Sequence, residues 1–227
     1  RWLTLMAKGF TRGEVVLGYC GYERGKGLGR YIMRAERLSS SIEWLAAAIK
    51  RRPFRGNRNN LGFTKSLYFS VNGFGNLNMN TGEDDLFMQQ IMTRENVSIV
   101  LSPRAVAKER TWGGWSWWWH RIKLLHTTHH YYPKGAMAPV VAELTLRTLF
   151  FAAITTALVC MPWEFKVAAI VVTLLRYFMV IFAVVRNARR LGESGIVALH
   201  FIYDLIEPVL RLVVAITSLR RGKKSWL

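Results

Sequence analysis

Two long apolar segments near the C-terminus constrain the fold of this chain more than any other feature. The first, Leu144–Met161, is interrupted only by Arg147, and the second, Phe165–Val185, contains Arg176 near its middle. Each is close to the roughly 20 residues that a helix needs to cross a bilayer. Between them, Pro162–Glu164 carries a turn-forming proline and a tryptophan typical of a membrane interface. The sequence therefore predicts a membrane-spanning helical hairpin.

The basic residues that follow the hairpin predict its orientation. Arg186, Arg189 and Arg190 come directly after the second segment, and cytoplasmic flanks are enriched in arginine and lysine. Two spans return the chain to its starting side, so residues 1–135 are also expected in the cytoplasm. We therefore expect a multi-pass protein of the inner (cytoplasmic) membrane, with the hairpin at residues 136–190.

The C-terminal residues 191–227 have a different pattern. Within Ile196–Leu219, ionisable side chains recur every three or four residues and form a polar stripe on an otherwise apolar helix: His200, Asp204, Glu207 and Arg211. A third span would export the basic tail after it, which contains Arg220, Arg221, Lys223 and Lys224. We expect an amphipathic helix in the cytoplasmic interface or packed beneath the preceding domain, with a third span as the alternative.

The charge of the chain narrows its partners. Its 32 Lys and Arg residues exceed its 14 acids and give a net charge of +18. Such a balance suits nucleic acid or an anionic membrane surface, and the apolar C-terminal part favours the membrane, so no nucleic acid is expected. Cys20 and Cys160 are far apart, which indicates neither a zinc knuckle nor a disulfide framework.

Residues 1–135 alternate between strand and helix patterns. Val15–Tyr19 and Val97–Leu101 are short β-branched runs that predict buried strands. Ile32–Ile49 has helical periodicity, with an apolar face of Leu38, Ile42, Leu45, Ala46 and Ile49. This alternation predicts an α/β domain.

An acidic triplet, Glu83, Asp84 and Asp85, stands out in this basic chain. Three adjacent carboxylates repel one another unless a cation, a base role or backbone donors compensate. They could simply form the acidic first turn of a helix that continues into Leu86. The alternative is a functional carboxylate.

Several segments, taken in order, resemble the inverting family 2 glycosyltransferases, especially membrane-anchored bacterial members. Trp2-Leu3 ahead of Val15–Tyr19 is similar to the region directly after the family's metal-binding Asp-x-Asp motif. Gly56–Phe69 resembles its acceptor-side strand and helix start. Gly73-Phe74 with Gly82–Leu86 resembles its "GF … ED-x-x-L" element. Trp115–His126 lies where the family carries a Gln/Arg-x-x-Arg-Trp-type motif before its membrane helices.

The resemblance implies a fold and a reaction. The expected fold is a partial glycosyltransferase-A type α/β domain followed by C-terminal transmembrane helices. The expected reaction transfers a sugar, with inversion, from a nucleotide-sugar donor to a lipid-linked or polysaccharide acceptor in cell-envelope or exopolysaccharide synthesis. A divalent cation, Mg or Mn, is implied as cofactor. Its ligands and the nucleotide-binding strands are expected upstream of Arg1.

The same resemblance assigns roles to residues. The family's base is an Asp of the acidic element, and two registers fit. Counting back from Leu86 gives Glu83, whereas reading Glu-Asp as a pair gives Asp84, which we favour. Asp85 would then orient a neighbour or cap the following helix.

Donor and acceptor sites are expected on two other segments. The family's Arg-Trp pair corresponds here to Leu125-His126, so the nearest candidates for the pyrophosphate are Arg121 and Lys123, with His126 beside them. The acceptor-side candidates are Asn57, Arg58, Asn59, Trp115 and Trp119.

Other interpretations remain open. The tryptophans of residues 112–119 are typical of a membrane-interface belt, or of a surface on which sugars stack. His126, His129 and His130 could form a zinc site, although H-x-x-H-H matches no zinc signature. As a whole, the chain could also be a non-enzymatic basic membrane protein that binds anionic lipid, or an inactive truncated transferase remnant.

Overall fold

A computed structural model describes residues 1–73, 83–111, 114–129, 132–197 and 200–219 of the chain. Helices make up most of it, with a few short strands between them. In chain order the elements are α1 Trp2–Gly9, β1 Val15–Gly18, β2 Cys20–Tyr22, α2 Leu28–Ile49, β3 Leu61–Phe63, α3 Lys65–Ser70, α4 Glu83–Ile91, β4 Val97–Val100, β5 Ala107–Glu109, α5 Gly114–Thr127, α6 Lys134–Cys160, α7 Trp163–Arg190 and α8 His200–Leu219.

The strands form two small sheets. In the first, β1 lies in the middle, antiparallel to β3 and parallel to β4; in the second, β2 pairs with β5 in parallel. Val15, Val16 and Leu17 are fully buried, as a central strand of β-branched residues should be. The predicted strands at Val15–Tyr19 and Val97–Leu101 are confirmed. The α/β prediction holds only coarsely, because strands of three or four residues are a minor part of the fold.

The buried side chain of Asn60 joins the first sheet to the segment that follows α2. Its amide nitrogen donates to the carbonyls of Tyr19 (2.7 Å) and Ala105 (2.8 Å), and its oxygen accepts from the indole of Trp2 (3.0 Å). Gly18 leaves room for this side chain, since a Cβ there would lie 2.6 Å from the Asn60 amide nitrogen. These bonds fix the position of residues 55–60, which border the candidate site.

Helix α2 lies at the centre of the fold. The predicted helix at Ile32–Ile49 is confirmed and begins four residues earlier, at Leu28. The predicted apolar face is only partly right: Leu38 and Leu45 are buried, but Ile49 is 59% exposed. Because strands β2 and β4 and helices α5 and α8 all contact α2, buried residues occur on more than one face of it.

Helices α6 and α7 form the predicted hairpin. Both are long and apolar enough to cross a membrane, and large apolar side chains such as Leu146 and Phe178 are exposed along them. The turn lies at Met161 and Pro162, because α7 already begins at Trp163. The predicted helices at both apolar segments are therefore confirmed.

The connection from α7 to α8 is fixed to the sheet domain by a buried carboxylate. Glu193 accepts hydrogen bonds from the hydroxyl of Tyr19 (3.0 Å) and from Arg34 (2.6 Å), and it also pairs with Lys108. Tyr19 lies between β1 and β2 and Arg34 lies on α2, so this one side chain joins the hairpin's exit to both layers of the domain.

The polar stripe of α8 faces the protein. Tyr203, Asp204 and Glu207 are buried, whereas Phe201 and Leu212 on the other face are at least half exposed. The helix contacts α5, α2 and α6 and continues through Pro208. The ionisable side chains of α8 are therefore packed against the other helices of the protein. The basic tail at Arg220, Arg221, Lys223 and Lys224 lies outside the described residues.

An ion network, made of Arg147, Arg176, Asp204, Glu207, Arg211 and Glu43, links four helices. Arg176 on α7 donates to both oxygens of Asp204 (2.6 and 3.0 Å). Glu207 pairs with Arg147 on α6 and, at 2.6 Å, with Arg211 on its own helix. Arg211 also pairs with Glu43 on α2. The network therefore holds α8 against the hairpin on one side and α2 on the other.

We expect Asp204→Asn to destabilise the protein by about 3–5 kcal/mol, because the change leaves Arg176 without its buried partner. The double variant Asp204→Leu/Arg176→Leu should cost less than the sum of the two single leucine variants, since it removes both charges together. Thermal unfolding in detergent measures both effects.

The matched control is Glu143→Gln. It removes a half-exposed partner of Arg147 on the same face of α6 and should cost about 1 kcal/mol or less. If Asp204→Asn is as mild as this control, the network does not hold α8 in place.

Candidate functional site

A small polar pocket, of about 30 Å³, lies where α2, α4, α5 and the segment after α2 meet. A space of this size admits about one water molecule or a hydroxyl group. Among its described lining residues, four arginines outnumber two acids: Arg37, Arg55, Arg58 and Arg121 against Glu36 and Asp85. Because acids pair with Arg37, Arg55 and Arg121, the pocket suits a hydroxyl group or another small polar group.

Asp85 is the buried carboxylate of this pocket. The hydroxyl of Tyr132 donates to its Oδ2 at 2.7 Å, and Nε of Arg55 and the hydroxyl of Thr128 each lie 3.4 Å from the same oxygen. Burial raises the pKa of Tyr132, with a further contribution from Asp85 that Arg55 opposes. Tyr132 therefore stays protonated and keeps donating to the carboxylate.

A second group of charges supports the α5 side of the pocket. Glu109 at the end of β5 pairs with Arg121 and, at 3.4 Å, with Arg37. The guanidinium of Arg37 also lies over the ring of Tyr22, 4.3 Å from its centroid, and that of Arg121 lies 5.2 Å from the ring centroid of Trp117. Stacking and ion pairing together fix both arginines in orientation.

The acceptor-side candidates divide between the pocket and the surface. Asn57 and Arg58 line the pocket, and the side chain of Asn57 accepts a hydrogen bond from the backbone N–H of Asn59 (3.1 Å). Asn59 itself is exposed and is not part of the lining. Trp115 is 47% exposed and packs on the buried Trp118 at a centroid distance of 4.7 Å, and Trp119 also lies outside the pocket lining.

The donor-side candidates are also divided. Arg121 borders the pocket, whereas the ammonium of Lys123 lies 5.8 Å from the ring centroid of Trp119. His126 lies in the neighbouring cavity described below. Glu83 and Asp84 begin α4, but their side chains lie outside the described part of the structure. Phe74 of the Gly73-Phe74 motif also lies outside it. Of the acidic triplet, Asp85 is the member with a described position.

An apolar cavity of about 530 Å³ adjoins the polar pocket. The two share Glu36, Ser40, Trp44, Arg55, Ile122 and Leu125. The remaining walls come from Met137, Val140, Val141 and Leu144 of α6 and from Val209, Leu210, Leu212 and Val214 of α8, with His126 and His129 beside the shared residues. The volume suits a small organic ligand or part of a larger one.

Two neighbouring histidines, His126 and His129, line the apolar cavity. The ring centroids of His126 and His129 are 4.5 Å apart, and that of His129 lies 5.2 Å from that of Tyr132. Burial lowers the pKa of both histidines, and Arg211 lowers both further; His126 and Arg55 add to the effect on His129. At neutral pH both rings are therefore uncharged.

The two carboxylic acids that line the cavity, Glu36 and Glu43, have pKa values shifted upward, in the direction opposite to the histidines. Burial raises the pKa of Glu43 to about 7, and Arg211 opposes this shift. Burial also raises the pKa of Glu36, against Arg37 and Arg55. Protonation of either acid would leave the arginines nearby with more net positive charge.

The described residues offer no place for the implied cation. In the described part of the chain, no three His, Cys, Asp or Glu side chains come together in a way that could hold a metal ion. His130, the third member of the possible zinc site, lies outside that part. The described residues therefore do not form a Mg or Mn site, whose ligands the resemblance places upstream of Arg1.

Comparisons with protein-family models, with curated proteins and with solved structures returned no match.

Sequence reasoning missed three groups around the carboxylate: Arg55, Thr128 and Tyr132. One signal was present, because Thr128 and Tyr132 are four residues apart, a spacing that can place two side chains on one face of a helical turn. A second signal was that Arg55 lies two positions before Asn57, which the sequence had already indicated as an acceptor-side residue. Neither signal indicated Asp85 as the common partner, since these contacts join residues that are 30 to 47 positions apart.

The histidine pKa shifts predict a pH dependence of stability. Because the folded protein disfavours a charged His129, the unfolded chain binds its proton first as the pH falls below about 6.5. This residue therefore removes up to about 1.4 kcal/mol of stability per pH unit over that range. Replacing it by His129→Gln should reduce the loss between pH 7.5 and 5.5, measured by thermal unfolding relative to wild type.

Glu36 and Glu43 affect the pH dependence of stability in the opposite direction, but both are present in wild type and in His129→Gln. The difference between the two proteins therefore reports the contribution of His129. His120→Gln is the matched control, since it makes the same substitution at an exposed histidine of α5. Parallel curves for wild type and His129→Gln would contradict a neutral, buried imidazole.

Proposed function

We propose that this protein is an inverting, membrane-attached glycosyltransferase of the family 2 type, with Asp85 as the candidate general base. It would transfer a sugar from a nucleotide-sugar donor to a lipid-linked or polysaccharide acceptor in cell-envelope or exopolysaccharide synthesis. The domain at residues 1–135 would be the acceptor-side part of a glycosyltransferase-A type fold.

One observation carries the proposal. Asn57 and Arg58, Asp85, and Arg121 belong to three segments that the resemblance assigns to acceptor, base and donor functions. All four line the same polar pocket. Segments far apart in sequence have no general reason to bring these residue types together, whereas a transfer site requires all three functions within a few ångströms.

The chemistry assigns each residue a task. A carboxylate takes the proton of an acceptor hydroxyl while that oxygen attacks the anomeric carbon, and the bond to the nucleoside diphosphate breaks on the opposite face. Tyr132 and Arg55 orient the Asp85 carboxylate. Arg58 and Arg121 would offset the negative charge of the donor's phosphates. A hydroxyl-sized pocket beside the carboxylate suits an acceptor hydroxyl.

The membrane arrangement belongs to the proposal as well. Helices α6 and α7 would cross the inner membrane as a hairpin. Residues 1–135 and the basic residues at 186–190 and 220–224 would lie in the cytoplasm. Nucleotide sugars are cytoplasmic substrates, so this side would give the site access to its donor. The exposed apolar surfaces of α6 and α7 support the membrane-crossing hairpin in this proposal.

We expect Asp85→Asn to lower transfer by about 10²–10⁴-fold, because an amide keeps the shape of the side chain but accepts no proton. The measurement is sugar incorporation and nucleoside diphosphate release, in membranes containing the protein expressed from its complete reading frame. Tyr132→Phe, which removes one hydrogen bond but keeps the carboxylate, should retain more activity than Asp85→Asn.

Asp84→Asn and Glu83→Gln test the two registers that the sequence favours. A base produces an acidic limb in the pH dependence of kcat/KM, and only its own substitution should abolish that limb. The variant that does so identifies the base. If all three acidic variants stay within a few-fold of wild type, the triplet is a helix start and the transferase proposal is wrong.

The topology prediction uses cysteines introduced into a Cys160→Ser background. Glu164→Cys, at the hairpin turn, should react with a membrane-impermeant maleimide in intact cells. Arg94→Cys and Lys223→Cys should react only after permeabilisation. Labelling of Lys223→Cys from outside would show that residues 196–219 cross the membrane. Labelling of Arg94→Cys from outside would show that the domain at residues 1–135 is not cytoplasmic.

The rival function is a non-enzymatic basic membrane protein that binds anionic lipid, or an inactive transferase remnant. Either would accommodate the net charge and the hairpin. Neither would need a buried carboxylate in a pocket with Asn57 and Arg121. Both predict that no acidic variant changes sugar transfer, because no transfer would occur in wild type.

A further inference from the structure

The exposed lining residues of the apolar cavity, here called its mouth, belong to α6 and α8. The inner wall of the cavity includes the half-buried Val140 and Leu144. The lining residues at its mouth, by contrast, are mostly exposed: Val141 57%, Leu149 59%, Val209 61% and Leu212 60%. A ligand could therefore enter sideways, along an apolar path, without passing through the polar pocket.

The mouth lies at a defined depth on the hairpin. Leu149 and Val141 are 11 and 19 residues before Cys160, the last residue of α6. At 1.5 Å per residue they lie about 16 and about 28 Å from the turn. In a hydrocarbon layer about 30 Å thick, a hairpin whose turn reaches the far side holds this mouth in the leaflet next to the domain.

The inner end of the cavity is chemically different from its mouth. Arg55 and Glu36 belong to both spaces, and the polar pocket beyond them has more arginines than acids. An apolar entrance that leads to the guanidinium of Arg55, beside the carboxyl of Glu36, suits a molecule with a hydrocarbon chain and a head group that accepts hydrogen bonds from arginine.

We propose that the apolar cavity binds the hydrocarbon chain of a lipid-linked acceptor, with the lipid's phosphate at Arg55 and the acceptor hydroxyl towards Asp85. The chain would enter from the leaflet between α6 and α8. This inference deepens the proposed function and rests on it, since it commits to a membrane lipid rather than a soluble polysaccharide as the acceptor.

The test measures lipid binding without any sugar donor. A radiolabelled long-chain prenyl phosphate with a diazirine at the end of the chain is photolysed with membranes containing the protein expressed from its complete reading frame. We expect labelled peptides from residues 137–149 and 209–215. Leu144→Trp, which fills the cavity, should reduce this labelling by about tenfold.

Leu146→Trp is the matched control, because it adds the same side chain to α6 at a position that is 67% exposed and outside the cavity lining. It should label like wild type. If Leu144→Trp unfolds at a much lower temperature than wild type, Leu210→Trp replaces it, because this change fills the cavity from α8. Leu205→Trp, at an exposed position of the same helix, is then the control. Equal labelling of filled and control variants overturns the proposal.

Competition tests the head group. Unlabelled prenyl phosphate should compete about tenfold better than the matching prenyl alcohol, and Arg55→Gln should abolish that difference. Equal competition by the two compounds overturns the placement of the phosphate.

The outcomes separate this inference from the proposed function. Labelling that Leu144→Trp removes, in a protein without transfer activity, supports the lipid site and rejects the transferase. Transfer to a soluble oligosaccharide, unchanged by Leu144→Trp and without specific labelling, supports the transferase and rejects the lipid site.

Discussion

The pairing of Asp204 and Glu207 with Arg147, Arg176 and Arg211 is the interaction on which the rest of the structure depends. Buried ion pairs add little net stability compared with apolar packing, but removing one partner is costly. Here the pairs join the buried face of α8 to both helices of the hairpin. In this position α8 forms one wall of the apolar cavity and packs on α5.

The geometry of the polar pocket depends on how α8 packs against α5. Helix α5 contacts both α2 and α8, and the chain leaves α5 through His129 towards Tyr132, which donates to Asp85. The carboxylate is thus held by a segment that α8 keeps in place. A variant in the ion network should therefore disturb the pocket as well, although no residue of the network bonds directly to Asp85 among the described contacts.

The sequence predicted those parts of the fold that depend on local pattern. The strands at 15–18 and 97–100 follow from short β-branched runs, and the two helices of the hairpin follow from long apolar segments. Helix α2 and the polar stripe of α8 follow from helical periodicity. The sequence did not predict the exposure of Ile49 or the contact of Tyr132 and Arg55 with Asp85, because these depend on which elements pack together. The resemblance named Asn57, Arg58, Asp85 and Arg121 separately, but their shared pocket is a tertiary property that spacing alone does not contain.

The depth of the ion network adds a constraint on how the hairpin lies in a membrane. Arg147 precedes the end of α6 by 13 residues and Arg176 follows the start of α7 by 13, so both lie about 20 Å from the turn. With the turn at the far interface, this places the arginines inside the hydrocarbon layer, where charges persist only if the protein satisfies them. Asp204 and Glu207 do so. In the proposed topology, the contacts of α8 with Arg147 and Arg176 would therefore also favour insertion of the hairpin.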